Sequence, residues 1–268
     1  MLQQAYDFKD ECDALYEVLL PLEESDYNKV TQFKGWTIND VLAHLHYFNY
    51  LAFHSLENEE RFVHEYGAMR KSREAGETIR EATDRLINYS KGKKLLSEWR
   101  EFYQDMTKPF ASADPKKRVK WGGPDMSVRS SISARLMETW SHSQAVYDVL
   151  GLKRANTDRI KNVAVMGVNT FGWTFINRKE DVPAERPFVQ LTAPSGKIWE
   201  WNTSDVASRV VGNAEEFCQV VTQTRSIEDT SLRVEGAAAT LWMKHAQCFA
   251  GVPRTPPAKG ARFIAPVS

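Results

Sequence analysis

The apolar period of this chain changes once, and that change separates two kinds of structure. From the N-terminus to about residue 178, apolar residues recur at three- and four-residue spacing, which predicts an all-α half. The polar, proline-bounded run NRKEDVPAERP then reads as a linker. Beyond it FVQLTAP and KIWEWN flank Ser195 and Gly196 as a β-hairpin, and SLRVEG reads as a further short strand. NAEEFCQVVTQTR and AAATLWMKHAQCFAG read as amphipathic helices. The pattern predicts a helical domain over residues 1–178, a small α+β domain over 187–252 and a loosely ordered tail over 253–268.

Within the helical half, Tyr6, Leu15, Tyr16 and Leu19 make one stripe that Pro21 ends. Thr37, with Asp40 three positions later, forms a capping-box signal for a helix over residues 38–57. A charged segment over residues 74–106 predicts a third helix with an irregularity at Gly92. KPFASADPKKRVKWGGPDMS reads as a long loop, after which Ser127 caps a fourth helix that Gly151 terminates. Residues 157–176 predict one more helix.

Thirty-five basic residues balance thirty-five acidic ones, which removes the electrostatic case for nucleic acid or an anionic membrane as the main partner. Three scattered cysteines without a CxxC spacing argue against a secreted disulfide framework. The N-terminus lacks the apolar core of a signal peptide, and no stretch approaches a membrane span. These features predict a soluble, cytoplasmic protein.

On the fourth helix, Ser131, Arg135, Glu138 and His142 fall within an arc of about 60°. Ile132, Leu136, Met137, Trp140, Val146 and Val149 cover much of the remaining circumference, so the helix is largely buried and its charged stripe must be paired or must hold an ion. His44, on the second helix, shares a face with Asp40, Phe48 and Leu51, whereas His46 points about 160° away. By spacing alone, His44 is equally a core histidine or a ligand. With Glu138 and His142 it makes two imidazoles and a carboxylate, a set that holds a catalytic zinc with a coordination position open, or an Fe(II) facial triad. Glu60 and His64 have the same spacing but sit in the run ENEERFVHEY, which reads as a solvated surface.

Other residues keep two readings each. Arg135 either meets a substrate carboxylate or pairs with Glu138; Ser131 either bonds a ligand or its own helix backbone; Trp121 either walls a pocket or packs. The basic run Lys116, Lys117, Arg118 and Lys120 is a solvated loop or an attractor of anions, and Cys218 and Cys248 read as buried packing.

GWTINDVLAHL followed by ARLMETWSHSQAVYDVLG resembles the DinB-like metal-binding superfamily, in its branch related to mycothiol-dependent maleylpyruvate isomerase. LTAPSGKIWEW, VVGNAEEFCQVVTQ and MKHAQCFAGVP resemble the sterol-carrier-like C-terminal domain of that branch. The resemblance implies an up-and-down four-helix bundle followed by a small α+β domain. It implies metal ligation by His44, Glu138 and His142, and a C-terminal arginine facing the site at Arg225. It departs at HSQA, where Ala145 stands in place of the aspartate common in relatives.

The implied cofactors are a divalent metal, zinc first and iron or nickel next, and a low-molecular-weight thiol such as mycothiol or a glutathione-like compound. The implied activity is isomerisation of, or thiol transfer onto, a small electrophilic and carboxylated substrate, by a monomer or homodimer. Two other functions fit the same residues: a small-molecule or lipid-binding protein with a structural metal, and an Fe(II)-dependent enzyme that uses oxygen.

Overall fold

The computed structural model describes residues 1–266, in which the chain forms two successive compact units, residues 1–150 and the part from Gly151 onward. The first is helical. Its helix α1 (Gln3–Leu19) buries Phe8, Leu15 and Leu19, and the hydroxyl of buried Tyr27 donates to the Leu19 carbonyl at 3.0 Å, beside the Leu22 amide that donates to the same oxygen at 3.1 Å. Helix α2 (Ile38–Glu57) begins at the capping box foreseen in the sequence. The Thr37 hydroxyl accepts from the Asp40 amide at 3.1 Å and the Asp40 carboxylate accepts from the Thr37 amide at 2.8 Å. The side-chain oxygen of Asn39 also accepts from the Gly92 amide at 2.7 Å, tying the start of α2 to a distant segment.

Where the charged spacing predicts one helix over residues 74–106, the chain forms α4 (Ile79–Leu86) and α5 (Gly92–Ser112), preceded by a separate helix α3 (Glu59–Glu74) in the run that reads as solvated. Local chemistry makes the breaks. Asn58 caps α3, Thr78 and Glu81 build a second capping box, and Asn88, Tyr89 and Gly92 all take left-handed backbone angles that a continuous helix excludes. A Cβ at Gly92 would run into the Glu24 carboxylate. The predicted loop over residues 108–127 is shorter than its prolines suggest, because α5 continues through Pro109 to Ser112. Two-residue strands β1 (Arg118–Val119) and β2 (Met126–Ser127) pair antiparallel across the remainder. Ser127 then caps α6 (Val128–Val149), which stops before Gly151 at φ +69°.

Helix α1 packs against α5 and α6, and α2 packs against the same two. Helices α3 and α4 cover another flank of α2 through Tyr47, Leu51, Phe62, Met69 and Ala82. The result sets α2 beside α6, the pair that carries His44 and Glu138.

The second unit corrects the domain boundary. Residues 157–176, which the period assigns to the helical half, form a 3-10 turn at Asp158–Ile160 followed by α7 (Lys161–Asn169) and α8 (Phe171–Ile176). They pack with α9 (Ala214–Val221) and α10 (Ala237–His245). Gly167 makes this possible: a Cβ there would lie 2.8 Å from a Val221 methyl and 3.0 Å from the Phe217 ring. The sheet order is β4-β3-β5-β6, with β3 (Phe188–Thr192) and β4 (Ile198–Trp201) forming the predicted hairpin. Strand β5 (Arg209–Asn213), absent from the sequence reading, pairs parallel with β3, and the predicted short strand, β6 (Arg233–Glu235), lies at the sheet edge.

The tail from Pro253 has no helix or strand among the described residues, and it makes hydrogen bonds to the second unit. The Arg254 amide donates to the Gln247 side chain at 2.9 Å and Arg262 donates to the Gln223 carbonyl at 2.7 Å. Val267 and Ser268 lie outside the described residues. No described helix is long and apolar enough to cross a membrane. Thr37→Ala removes one half of the α2 capping box and is expected to lower stability by about 1 kcal/mol in urea unfolding; an unchanged midpoint would show that the cap contributes nothing.

Candidate metal centre

Glu138 lies three turns into α6, one turn before His142, and the packing of α2 on α6 brings His44 across to the same carboxylate. Nε2 of His142 is 3.1 Å from Glu138 Oε2, and Nε2 of His44 is 3.4 Å from the same oxygen. One donor atom from each residue lies within 4.8 Å of the other two. Ligands at about 2.1 Å from a common tetrahedral ion stand about 3.4 Å apart, so these separations have the scale of a coordination shell. The chemistry of the set fits as well: borderline nitrogen donors with one carboxylate suit zinc and its neighbours.

The enclosure is aromatic. Trp36 stacks parallel to His142 at 6.0 Å, Phe33 meets the same imidazole edge-on at 5.0 Å, and Phe48 lies 4.5 Å from His44. His44 is 8% exposed, while the Glu138 side chain keeps 23% of its surface, so the pocket opens on the carboxylate side. Burial, then the neighbouring His142 ring, push His44 down to about 4, which leaves it neutral and able to ligate at pH 7. Burial alone would raise the Glu138 carboxyl. The two imidazoles outweigh it and hold the group well below the usual carboxylate range. The buried His44 Nδ1 has no hydrogen-bond partner, so the tautomer is set by what faces Nε2, the Glu138 carboxylate or an ion.

Arg135 makes its hydrogen bonds to α2. Its Nε donates to the side-chain oxygen of fully buried Asn49 at 2.9 Å and its Nη2 lies 3.4 Å from the Leu45 carbonyl, so the guanidinium clamps α6 to α2 instead of pairing with Glu138. Ser131 is buried on the same stripe, about 10 Å along the helix axis from Glu138 at 1.5 Å per residue. Trp121 folds onto its own turn, its indole N–H donating to the Pro124 carbonyl. Arg225 belongs to the second unit, where it is buried and donates to the Thr224 carbonyl at 2.8 Å.

Of the basic run, Lys117 donates to the Leu56 carbonyl and Lys120 pairs with Asp125 at 3.0 Å. Exposed His64 on α3 is not part of any converging donor set among the described residues, as its charged surroundings imply. His46 packs edge-on against Phe102, away from the centre. All three cysteines are buried and form no disulfide, and burial pushes the Cys12 and Cys218 thiols up, away from nucleophilic use. Sequence reasoning missed Phe33 and Asn49. The pair Phe33 and Trp36 flanking Lys34-Gly35 is the available signal, because a tight turn places both rings on one side.

The family model described as the mycothiol maleylpyruvate isomerase N-terminal domain matches residues 8–147, just over half of the chain. The chain belongs to this family. Two relatives, uncharacterized proteins of Mycobacterium tuberculosis strains CDC 1551 and H37Rv, are each 34% identical over 247 residues, spanning 92% of this chain and 95% of theirs. The crystal structure of the mycothiol-dependent maleylpyruvate isomerase, and that of a mutant of it, superpose with a TM-score of 0.50 at 14% identity. The match covers 81% of this chain and 87% of that one, and it shows a shared fold.

An unfolded histidine titrates near 6.5, so between about pH 6.5 and 4 the unfolded chain binds a proton that folded His44 refuses. Stability of the chelator-treated protein is therefore expected to be complete above that window and to fall through it, by up to about 3 kcal/mol for this one group. Urea unfolding of wild type and His44→Gln from pH 7 to 4.5 checks this. The variant should show the shallower loss, and parallel curves would contradict it.

Proposed function

We propose that the protein is a divalent-metal-dependent enzyme in which a low-molecular-weight thiol isomerises, or is transferred onto, a small electrophilic substrate. The observation that carries this reading is the convergence of His44, Glu138 and His142 within 4.8 Å inside an aromatic enclosure that stays open on one side. In this reading the four long helices form a DinB-like bundle, and the three residues hold a single ion, zinc being best matched to the donor set. When bound, the ion supplies Lewis-acid activation, lowering the pKa of a thiol or water in the open position.

The protein's own residues contribute the rest. Glu138 stays ionised, and one carboxylate against a divalent ion would leave the centre net positive, which favours an anionic thiolate at the open side. His44 stays neutral, so its lone pair is available across the physiological range. Trp36, Phe33 and Phe48 exclude water around the imidazoles, which strengthens each electrostatic contact at the open side. Arg135 and Asn49 hold α2 against α6 close to the ligands. Maleylpyruvate with mycothiol is the proposed assay pair, since the matched family and solved fold carry those names.

Purified protein is expected to carry about one divalent ion per chain and to catalyse cis–trans isomerisation of maleylpyruvate only when mycothiol is present. His44→Ala, Glu138→Gln and His142→Ala should each weaken metal affinity by about a hundredfold while the circular dichroism spectrum is kept. Full activity after chelation, or in the Glu138→Gln variant, would contradict the proposal.

A further inference from the structure

Arg135 is a buried cation whose hydrogen-bond partners carry no counter-charge. It is 7% exposed, and both groups that accept from it on α2, the Asn49 side-chain oxygen at 2.9 Å and the Leu45 carbonyl at 3.4 Å, are neutral. Its guanidinium also lies over the Phe48 ring at 5.9 Å, the same ring that meets His44 at 4.5 Å. Among the described residues no carboxylate forms an ion pair with it, since Glu138, one turn away on α6, is taken up by His44 and His142. Burial pushes the guanidinium down and the field of Glu138 pushes it back up, so that carboxylate is the negative charge Arg135 feels.

The residue facing the guanidinium preserves this imbalance. Asn49 is fully buried, and its Nδ2 has no hydrogen-bond partner. An aspartate of the same size would pair with the cation and leave no buried N–H unmet, so stability alone favours the acid. The amide leaves the charge standing. Once a divalent ion engages Glu138 and the two imidazoles, which ligate as neutral rings, the ion, the carboxylate and Arg135 leave two positive charges in excess in a largely enclosed site. A thiolate offsets one of them. We propose that Arg135 is a specificity-determining residue that acts through its field, making the open position take anions over neutral molecules and calling for a carboxylate on the electrophile that joins the thiolate. It touches no ligand in this role. The assignment rests on the metal-centre reading and narrows it to anionic electrophiles.

Asn49→Asp gives the guanidinium a counter-charge while keeping its hydrogen bond, so this variant is expected to fold and to bind cobalt at least as tightly as wild type. The visible spectrum of the cobalt-loaded full-length protein then reports ligands entering the open position. Dianionic maleate is expected to bind about tenfold more weakly to Asn49→Asp than to wild type, monoanionic monomethyl maleate about threefold more weakly, and neutral imidazole equally. The paired apolar variant Asn49→Leu/Arg135→Met removes the charge by another route and should give the same ranking. Equal losses for all three ligands would mark plain damage to the site, and unchanged maleate binding would mark an inert charge; either overturns the assignment. Failure of the wild type to bind cobalt would remove the metal-centre reading and this assignment with it. Charge-ranked binding without any isomerase activity would leave the assignment standing and count against the catalytic reading alone.

Discussion

Two imidazoles from different helices face one carboxylate oxygen, and the rest of the first unit is arranged around keeping them there. An ionised Glu138, largely covered by apolar neighbours, is costly unless cationic or hydrogen-bonding partners face it. His44 and His142 supply the partners at 3.4 and 3.1 Å. Because burial also keeps His44 neutral near pH 7, this imidazole and the Glu138 carboxylate meet in the protonation states a divalent ion requires of its ligands.

His142 comes to Glu138 through helical spacing alone, but His44 arrives by tertiary packing and needs a frame. The capping box at Thr37 and Asp40 sets where α2 begins, and hence the phase at which His44 projects. The turn before it folds Trp36 and Phe33 over His142, so one short segment both starts the helix and covers the centre. On the other side, the buried Arg135 to Asn49 bond spans the same two helices close to the ligands. Slippage of α2 by one residue would break the Asn49 contact and rotate His44 by about 100° away from Glu138.

Half of the centre was legible in local rules, the i,i+4 spacing of Glu138 and His142 on a helix with apolar residues around the rest, whereas His44, equally a core histidine by spacing, joined them only through the family resemblance. The breaks at Asn88 and Tyr89 were hidden, since left-handed residues other than glycine carry weak signals. The boundary near residue 150 was hidden for another reason. Helices α7 and α8 have the same period as those of the first unit, and only the close approach permitted by Gly167 shows that they pack on α9. Arg135 was placed on the correct stripe, but periodicity does not disclose a partner such as Asn49 on another helix.

Extended X-ray absorption at the metal edge of the metal-loaded protein tests the central arrangement most directly. The account predicts scattering from two imidazoles and a carboxylate oxygen at about 2.0–2.1 Å, with room for one further ligand. A shell without imidazole, or one dominated by sulfur near about 2.3 Å in the absence of added thiol, would contradict it.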